Sequence, residues 1–379
     1  MKKQLKKWFF AAVLVLSSSL SAFAQTPAPT PPEETIKITT EEVHLNVTAQ
    51  TSSGKFVPNL VPDDLLIVES GTPQKIESMR RVPASVLFLL DTGGNFNFAK
   101  TLDMTRLTAQ LLVENLASEN SFAVVQTYSK IETVTDWTSD KQAVQNDLDK
   151  KLFGGNSSRF TDAVSASIEK FRTRPLENRH LVYIGDALDS AASETERQKA
   201  LRNLLAANIT VHVIAYNKME ANRALGATRP FQIGEERETP RISEDVLEGM
   251  IQQMPRLMKD NFRRMMKAER LFVVRLDRGA IKIAKQKRES WLKGETELAA
   301  LAEDTGGMFQ SPEEPTTMLL IALDIAKAIG AQYVVTYIPS KPFADSPADG
   351  TRKIRVGTHC SGVQIRSRHK VVLKPGDSR

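Results

Sequence analysis

Asp91-Thr92-Gly93 closes the apolar run of residues 85–90 and offers two kinds of carboxylate chemistry. A carboxylate on a tight turn can share one proton with a second carboxylate and activate water for hydrolysis. The same carboxylate at the tip of a buried strand, backed by small polar residues, can instead hold a hard divalent cation, which takes oxygen ligands. The hydrolytic pair needs a second Asp-Thr/Ser-Gly or a second copy of the chain, set in an all-β fold. No second Asp-Thr-Gly occurs, and residues 98–117 carry helical spacing at Leu102, Leu107, Leu111, Leu112 and Leu116. An acid proteinase pair is set aside on those grounds, and the metal option is taken forward.

The elements that would position such a site alternate between strand and helix. Residues 85–91 and 180–186 are both apolar runs ending in an acid, the pattern of strands buried on both faces of a parallel sheet. Helical patterns at 141–152, 160–171 and 194–208 and strand patterns at 121–129 and 209–216 lie between and after them, and "IETVTDWT" reads as a partner of the former strand. The alternation stops after Tyr216 and resumes at 296–310 and 316–340 with helix, strand, helix, strand. This predicts an α/β fold with a doubly wound, mostly parallel sheet. In such a sheet, ligands bind beyond the strand C-termini at the switch in strand order, which is where Asp91 and Asp186 fall. Two strand-like stretches precede the sheet, at 43–50 and 64–71, and two more follow in the tail, so a small flanking β unit from both ends of the chain is expected.

The motifs carry a family resemblance. "VLFLLDTGGN" resembles the strand that ends in Asp-x-Ser-x-Ser in von Willebrand factor type A (VWA) domains. "SRFTDAV" resembles the motif in which a Thr stands four positions before an Asp-Ala-Leu, with Ser158 in the place of the Thr. "YIGDALDS" resembles Thr-Asp-Gly-x-Asp, with Asp186 as its acid. The segments "HLNVTAQTSSGKFVPNLVPDDLLIVESGTPQKIESM" and "YVVTYIPSKPFADSPADGTRKIRV" resemble the VWFA-related family of secreted acidobacterial proteins. The resemblance covers most of residues 42–373 except the stretch after Tyr216. It implies a Rossmann-like VWA fold and a metal-ion-dependent adhesion site holding Mg²⁺, Mn²⁺ or Ca²⁺. The chain departs from that pattern at Gly93, which offers no side-chain oxygen, and at Asn95, whose amide oxygen can still coordinate. The expected set is therefore a degenerate one: Asp91, Asn95, Ser158 and Asp186, with the ion weakly held or absent. The competing reading has the two aspartates capping neighbouring helix N-termini and holding no metal. Asn97 and Asp189 are the expected ligand-facing residues.

The rest of the sequence bounds the setting. Lys2, Lys3, Lys6 and Lys7, an apolar run at 8–16 and Ala22-Phe23-Ala24 form a signal peptide over residues 1–24, which predicts export to the periplasm or beyond. A Pro/Thr-rich linker (25–36), an N-terminal β segment (37–82), the VWA domain (84–339) and a C-terminal β segment (340–379) follow. Removing the four leader lysines lowers the formal net charge from +6 to about +2, so the basic balance says little about partners. Cys360 is the only cysteine, which excludes an internal disulfide.

An insertion at 217–293 interrupts the domain. Its residues 255–293 hold 13 basic and 4 acidic side chains, a net charge of +9, beside a Met-rich apolar stripe. The plain expectation is an amphipathic helix packed on the domain. The sharper one is a docking element, through Arg263, Arg264, Lys267 and Arg270, for an anionic membrane surface or an acidic partner. Nucleic acid is the least expected partner for an exported protein. No nucleophile–base pair is visible, so the expected function is a non-enzymatic, protein-binding adhesion or scaffold module. The alternative is a metal-independent envelope assembly protein acting through the insertion.

Overall fold

β5 (Ser85–Asp91) is buried at all seven positions, as a continuous apolar run must be when helices cover both faces of its sheet. It lies near the middle of the computed structural model, which describes residues 41–94, 99–227, 249, 251–252, 259, 278–347 and 350–372. Parallel neighbours flank it: β6 (Ser121–Thr127) on one side and β8 (Arg179–Gly185) on the other. β7 (Ile131–Thr138) extends one edge as an antiparallel hairpin with β6. β9 (Thr210–Ala215) and the short β10 (Phe309–Gln310) extend the other edge in parallel. The order is β10-β9-β8-β5-β6-β7. The chain leaves β5 towards β6 and later returns to β8 on the opposite side, so the switch in strand order falls between β5 and β8.

Helices wind on both faces. α1 (Leu102–Asn115), α2 (Lys141–Lys151) and α7 (Thr317–Gly330) bury Leu107, Leu112, Val144, Leu148, Leu319 and Ile325 against one face, with Val86, Phe88 and Leu90 of β5 beneath them. α3 (Phe160–Phe171), α4 (Glu194–Ala206) and the C-terminal part of α6 (Arg278–Thr305) bury Phe160, Leu204, Leu298 and Leu301 against Leu87 and Leu89 on the other. The alternation along β5 sends successive side chains to opposite cores. The fold is thus the doubly wound α/β architecture expected from the strand–helix alternation.

Two small antiparallel sheets form the flanking β unit. β1 (Val43–Thr51) pairs with β13 (Val363–Ser367) and with β11 (Tyr333–Tyr337), and β11 also pairs with β4 (Ile76–Arg80). β2 (Leu65–Glu69) lies between β3 (Thr72–Gln74) and β12 (Thr351–Thr358), and β14 (Lys370–Val372) pairs with β12. Leu45, Val47, Ile67, Val335, Tyr337 and Ile354 make a third apolar core there. β11, which the sequence places after the last helix of the main domain, belongs to this unit and not to the parallel sheet. All five of its residues are buried: Tyr333, Val335 and Tyr337 face the third core, and β1 and β4 pair with its two edges.

Two helices occupy the described ends of the expected insertion. α5 (Asn217–Ala227) starts directly after β9, and the helix read from residue 296 begins at Arg278. Most of the stretch between them, with Arg263, Arg264, Lys267 and Arg270, lies outside the described residues. So do residues 1–40, with the expected leader and linker, and Asn95 and Asn97. No described helix is long and apolar enough to cross a membrane.

Candidate functional site

Asp91 is the last residue of β5 and Asp186 directly follows β8, so adjacent parallel strands bring both carboxylates to the switch point. Both are completely buried. Each carboxylate has one oxygen held by backbone two residues on: Gly93 N–H donates to Asp91 Oδ1 at 3.0 Å, and Leu188 N–H donates to Asp186 Oδ1 at 3.2 Å. Such turns aim the other oxygen of each acid at a common point. At that point stands the ammonium of Lys100, 3.1 Å from Asp91 Oδ2 and 3.0 Å from Asp186 Oδ2. The Lys100 side chain is only 4% exposed, so all three charges are withdrawn from water.

Lys100 reaches this position from just ahead of α1, whose N-cap is Thr101. The backbone on either side is fastened by Glu220 of α5: its Oε1 accepts from Ala99 N–H at 2.7 Å and Lys100 N–H at 2.6 Å. α6 closes the pocket, with the buried Trp291 indole donating to Asp186 Oδ2 at 3.4 Å. Asn217 ties these walls together through its amide, which donates to Asp186 O at 3.0 Å and Trp291 O at 2.7 Å. Beneath the acids, Tyr183 donates its hydroxyl to Asp91 Oδ2 at 3.3 Å and accepts from Ala187 N–H at 2.7 Å.

The electrostatics follow from burial and from the two like charges. Burial pushes Asp91 up to about 7; the Lys100 ammonium works against that rise and the neighbouring Asp186 charge adds to it. For Lys100, burial disfavours the charge, but Asp186 and then Asp91 outweigh it and hold the pKa above its ordinary value. Burial, with the two acids beside it, keeps the Tyr183 hydroxyl protonated far above its ordinary range.

The loops after β5, α2 and β8 meet at these strand tips. Gly93 and Gly155 form a parallel bridge, and Gly94 N–H donates to Gly155 O at 3.0 Å. Ser158, the hydroxyl expected to serve a metal, is buried at 4% exposure, and its Oγ makes no hydrogen bond among the described residues. Its carbonyl accepts from both the backbone and the hydroxyl of Ser190, at 3.1 and 2.9 Å. Asp189 braces the loop after β8: its carboxylate accepts from Thr161, Ala191 and Ala192 N–H at 2.7, 3.1 and 3.2 Å. Burial opposes its charge, yet those donors lower its pKa overall. Asp189 therefore braces the half-buried tip at which it was expected to face a ligand.

The structure brings Asp91 and Asp186 together as the sequence predicts, but around an ammonium in place of the expected ion. A divalent cation needs oxygens at about 2.0–2.6 Å and repels a neighbouring ammonium. Lys100 already compensates the pair, and Gly93 contributes a backbone N–H to Asp91 where a ligand oxygen was lost. No group of three or more His, Cys, Asp or Glu side chains converges for a metal among the described residues. These residues do not fit the family's ion, and the helix-capping alternative misses the cation between them too. Lys100 escaped sequence reasoning, though it had a signal. A lysine next to a helix N-terminus opposes the helix dipole and needs a compensating anion. Trp291 had one as well, since it lies in register with Ala284 and Leu298 on the apolar stripe of α6.

The family model for the von Willebrand factor type A domain matches residues 86–189. A von Willebrand factor type A protein from Catenulispora acidiphila aligns at 10% identity with a TM-score of 0.41, over 89% of this chain and 75% of that one. The conserved hypothetical protein BatB from Bacteroides thetaiotaomicron aligns at 13% identity with a TM-score of 0.36, over 65% of this chain and 99% of that one. Proximal thread matrix protein 1 from the mussel byssus, with a zinc-occupied MIDAS motif, aligns at 16% identity with a TM-score of 0.31, over 35% and 38%. No curated protein matches the chain. With the matched span running from the start of β5 through the Asp186 loop, residues 86–189 form a von Willebrand factor type A domain.

Proposed function

We propose that this chain is an exported, non-enzymatic protein-binding module, of adhesion or scaffold type, that engages a protein ligand at the tips of β5 and β8. The observation that carries the reading is the convergence of the loops after β5, α2 and β8 on one rigid, fully buried charge cluster at the switch point. Such a cluster fixes loop positions, and rigid platforms carrying loops are how this kind of sheet presents binding residues. Hydrolytic chemistry gains no support here. Both acids are engaged with Lys100, and the Ser158 hydroxyl has no base beside it among the described residues. An exposed aromatic that the sequence did not single out, Phe153 at 57%, stands two residues before Gly155 in the same loop, its backbone N–H donating to Gln126 Oε1 of β6. Docking of Arg263, Arg264, Lys267 and Arg270 to an anionic membrane or acidic partner is an expectation of the sequence alone.

The test is site-specific photo-crosslinking in intact cells. A photoreactive residue at Phe153 or Asn156, on the tip, is expected to give one common protein adduct. The same probe at Leu176, exposed at the opposite end of β8, is expected to give none. Adducts from Leu176 alone, or equally from all three positions, would refute tip binding.

A further inference from the structure

The two acids that the sequence resemblance assigns to a divalent ion each turn Oδ2 towards one nitrogen, at 3.1 and 3.0 Å. That nitrogen belongs to the chain itself, and its position is built with care. Glu220, fully buried, clamps the amides of residues 99 and 100. Trp291 and Leu188 N–H orient Asp186, while Gly93 N–H and Tyr183 orient Asp91. Ser158 Oγ remains buried without a hydrogen-bond partner among the described residues, an oxygen with nothing to bind. An unsatisfied buried hydroxyl is costly, so its presence at the family's third ligand position calls for a reason.

We infer that Lys100 is a tethered replacement for the divalent ion. Its ammonium assembles the strand tips without metal, and taking it away uncovers a divalent-cation site made from Asp91, Asp186 and Ser158. One built-in positive charge stands where two would be delivered by an ion. The tip is then insensitive to chelators and to the metal content of its surroundings. Lys100 here is a positioning residue: it holds the acids and the loops behind them. The inference concerns the free protein and does not depend on what binds at the tip, so either reading can fail without the other.

The experiment is calorimetric and thermal titration of the protein with MnCl₂, in the absence of any ligand, on wild type, K100A and K100A/D186N. Wild type is expected to show no saturable heat and no change of melting temperature with millimolar Mn²⁺ or with EDTA. K100A is expected to melt lower without metal and to recover by about 5 °C when Mn²⁺ saturates it. K100A/D186N is expected to lose that recovery, and K100R, which keeps a cation, to behave as wild type towards Mn²⁺. A saturable Mn²⁺ response in wild type that D91N abolishes would overturn the inference. So would a K100A chain that gains nothing from Mn²⁺, whether it folds or needs refolding with the metal present.

Discussion

At the scale of single residues, Gly93 changes meaning once its surroundings are known. In the sequence it is a serine lost from a metal motif. In the structure a Cβ at this position would lie 1.9 Å from Ser157 O and 2.9 Å from the Tyr128 Cα, both backbone atoms that cannot swing aside. The glycine is what lets the β5 tip close on the 155–158 loop. Gly93→Ser should therefore destabilise the fold by about 1–3 kcal/mol, the usual cost of overpacking, and give no gain in metal binding. Urea unfolding compared with wild type checks the first part, and an unchanged midpoint would show that the loop yields. Ser158 makes the opposite case. Its hydroxyl is buried without a partner, so Ser158→Ala removes an unpaired polar group and should leave stability unchanged or raise it by up to about 1 kcal/mol. A clear loss of stability would mean that the hydroxyl holds something after all.

At the scale of elements, the sequence was read well where burial and period agree. β5 has the bounds read from "SVLFLLD", and α3 those read from "FTDAVSASIEKF". Both acids were found because a polar residue at the end of a seven-residue apolar strand is conspicuous. Lys100 was not, because a lysine ahead of a helix N-terminus signals that an anion is needed but not which one it meets. A second arrangement hidden from sequence spans β8 and β9. Met308 N–H donates to His212 Nδ1 at 3.2 Å, His212 and His180 share a 3.1 Å contact, and His180 Nε2 meets Asn178 Oδ1 at 2.8 Å. With the Asn178 oxygen accepting, His180 Nδ1 accepts from His212 Nε2–H, and both rings are neutral. Burial holds His180 down to about 3 and His212 well below its ordinary value. Between about 6.5 and 3 the unfolded chain therefore binds more protons than the folded one. The contribution of the pair is complete above that window and declines as pH falls through it. Each ring steepens the decline by about 1.4 kcal/mol per pH unit. His212→Gln should lower stability at neutral pH yet flatten the loss between pH 6.5 and 4.5, read from urea midpoints at each pH. A parallel decline in wild type and variant would remove the histidines from the acid response.

At the scale of the whole molecule, the flanking β unit is fastened at the end of the parallel sheet opposite the strand tips. β1 is paired on one edge by β11 and on the other by β13, and β12 covers β2, so segments from both ends of the described chain complete each other's sheets. The sequence suggested that the tail rejoins the N-terminal strands, since both show the half-buried alternation of antiparallel strands. It could not show how that unit is fastened to the parallel sheet. The fastening is polar and specific: Asn46 donates to Thr210 Oγ1 at 3.0 Å, Arg368 to Asn208 Oδ1 at 2.7 Å, and Lys370 meets Asp304 of α6 at 2.7 Å. Within the unit, Arg352 and Glu69 form an ion pair of 2.9 Å, at 5% and 4% exposure, across β12 and β2. Removing one member of such a pair strands the other charge in the interior, at about 3–5 kcal/mol. Arg352→Met should therefore lower the melting temperature of the flanking sheets and of the parallel sheet in a single transition, because the polar contacts above fasten the third core to the other two. Far-ultraviolet circular dichroism and the fluorescence of Trp291 in a Trp137→Phe background without the leader, the latter reporting on the charge cluster, should shift together. If the fluorescence transition stays in place while the dichroism signal splits, the flanking sheets unfold on their own and do not support the strand tips.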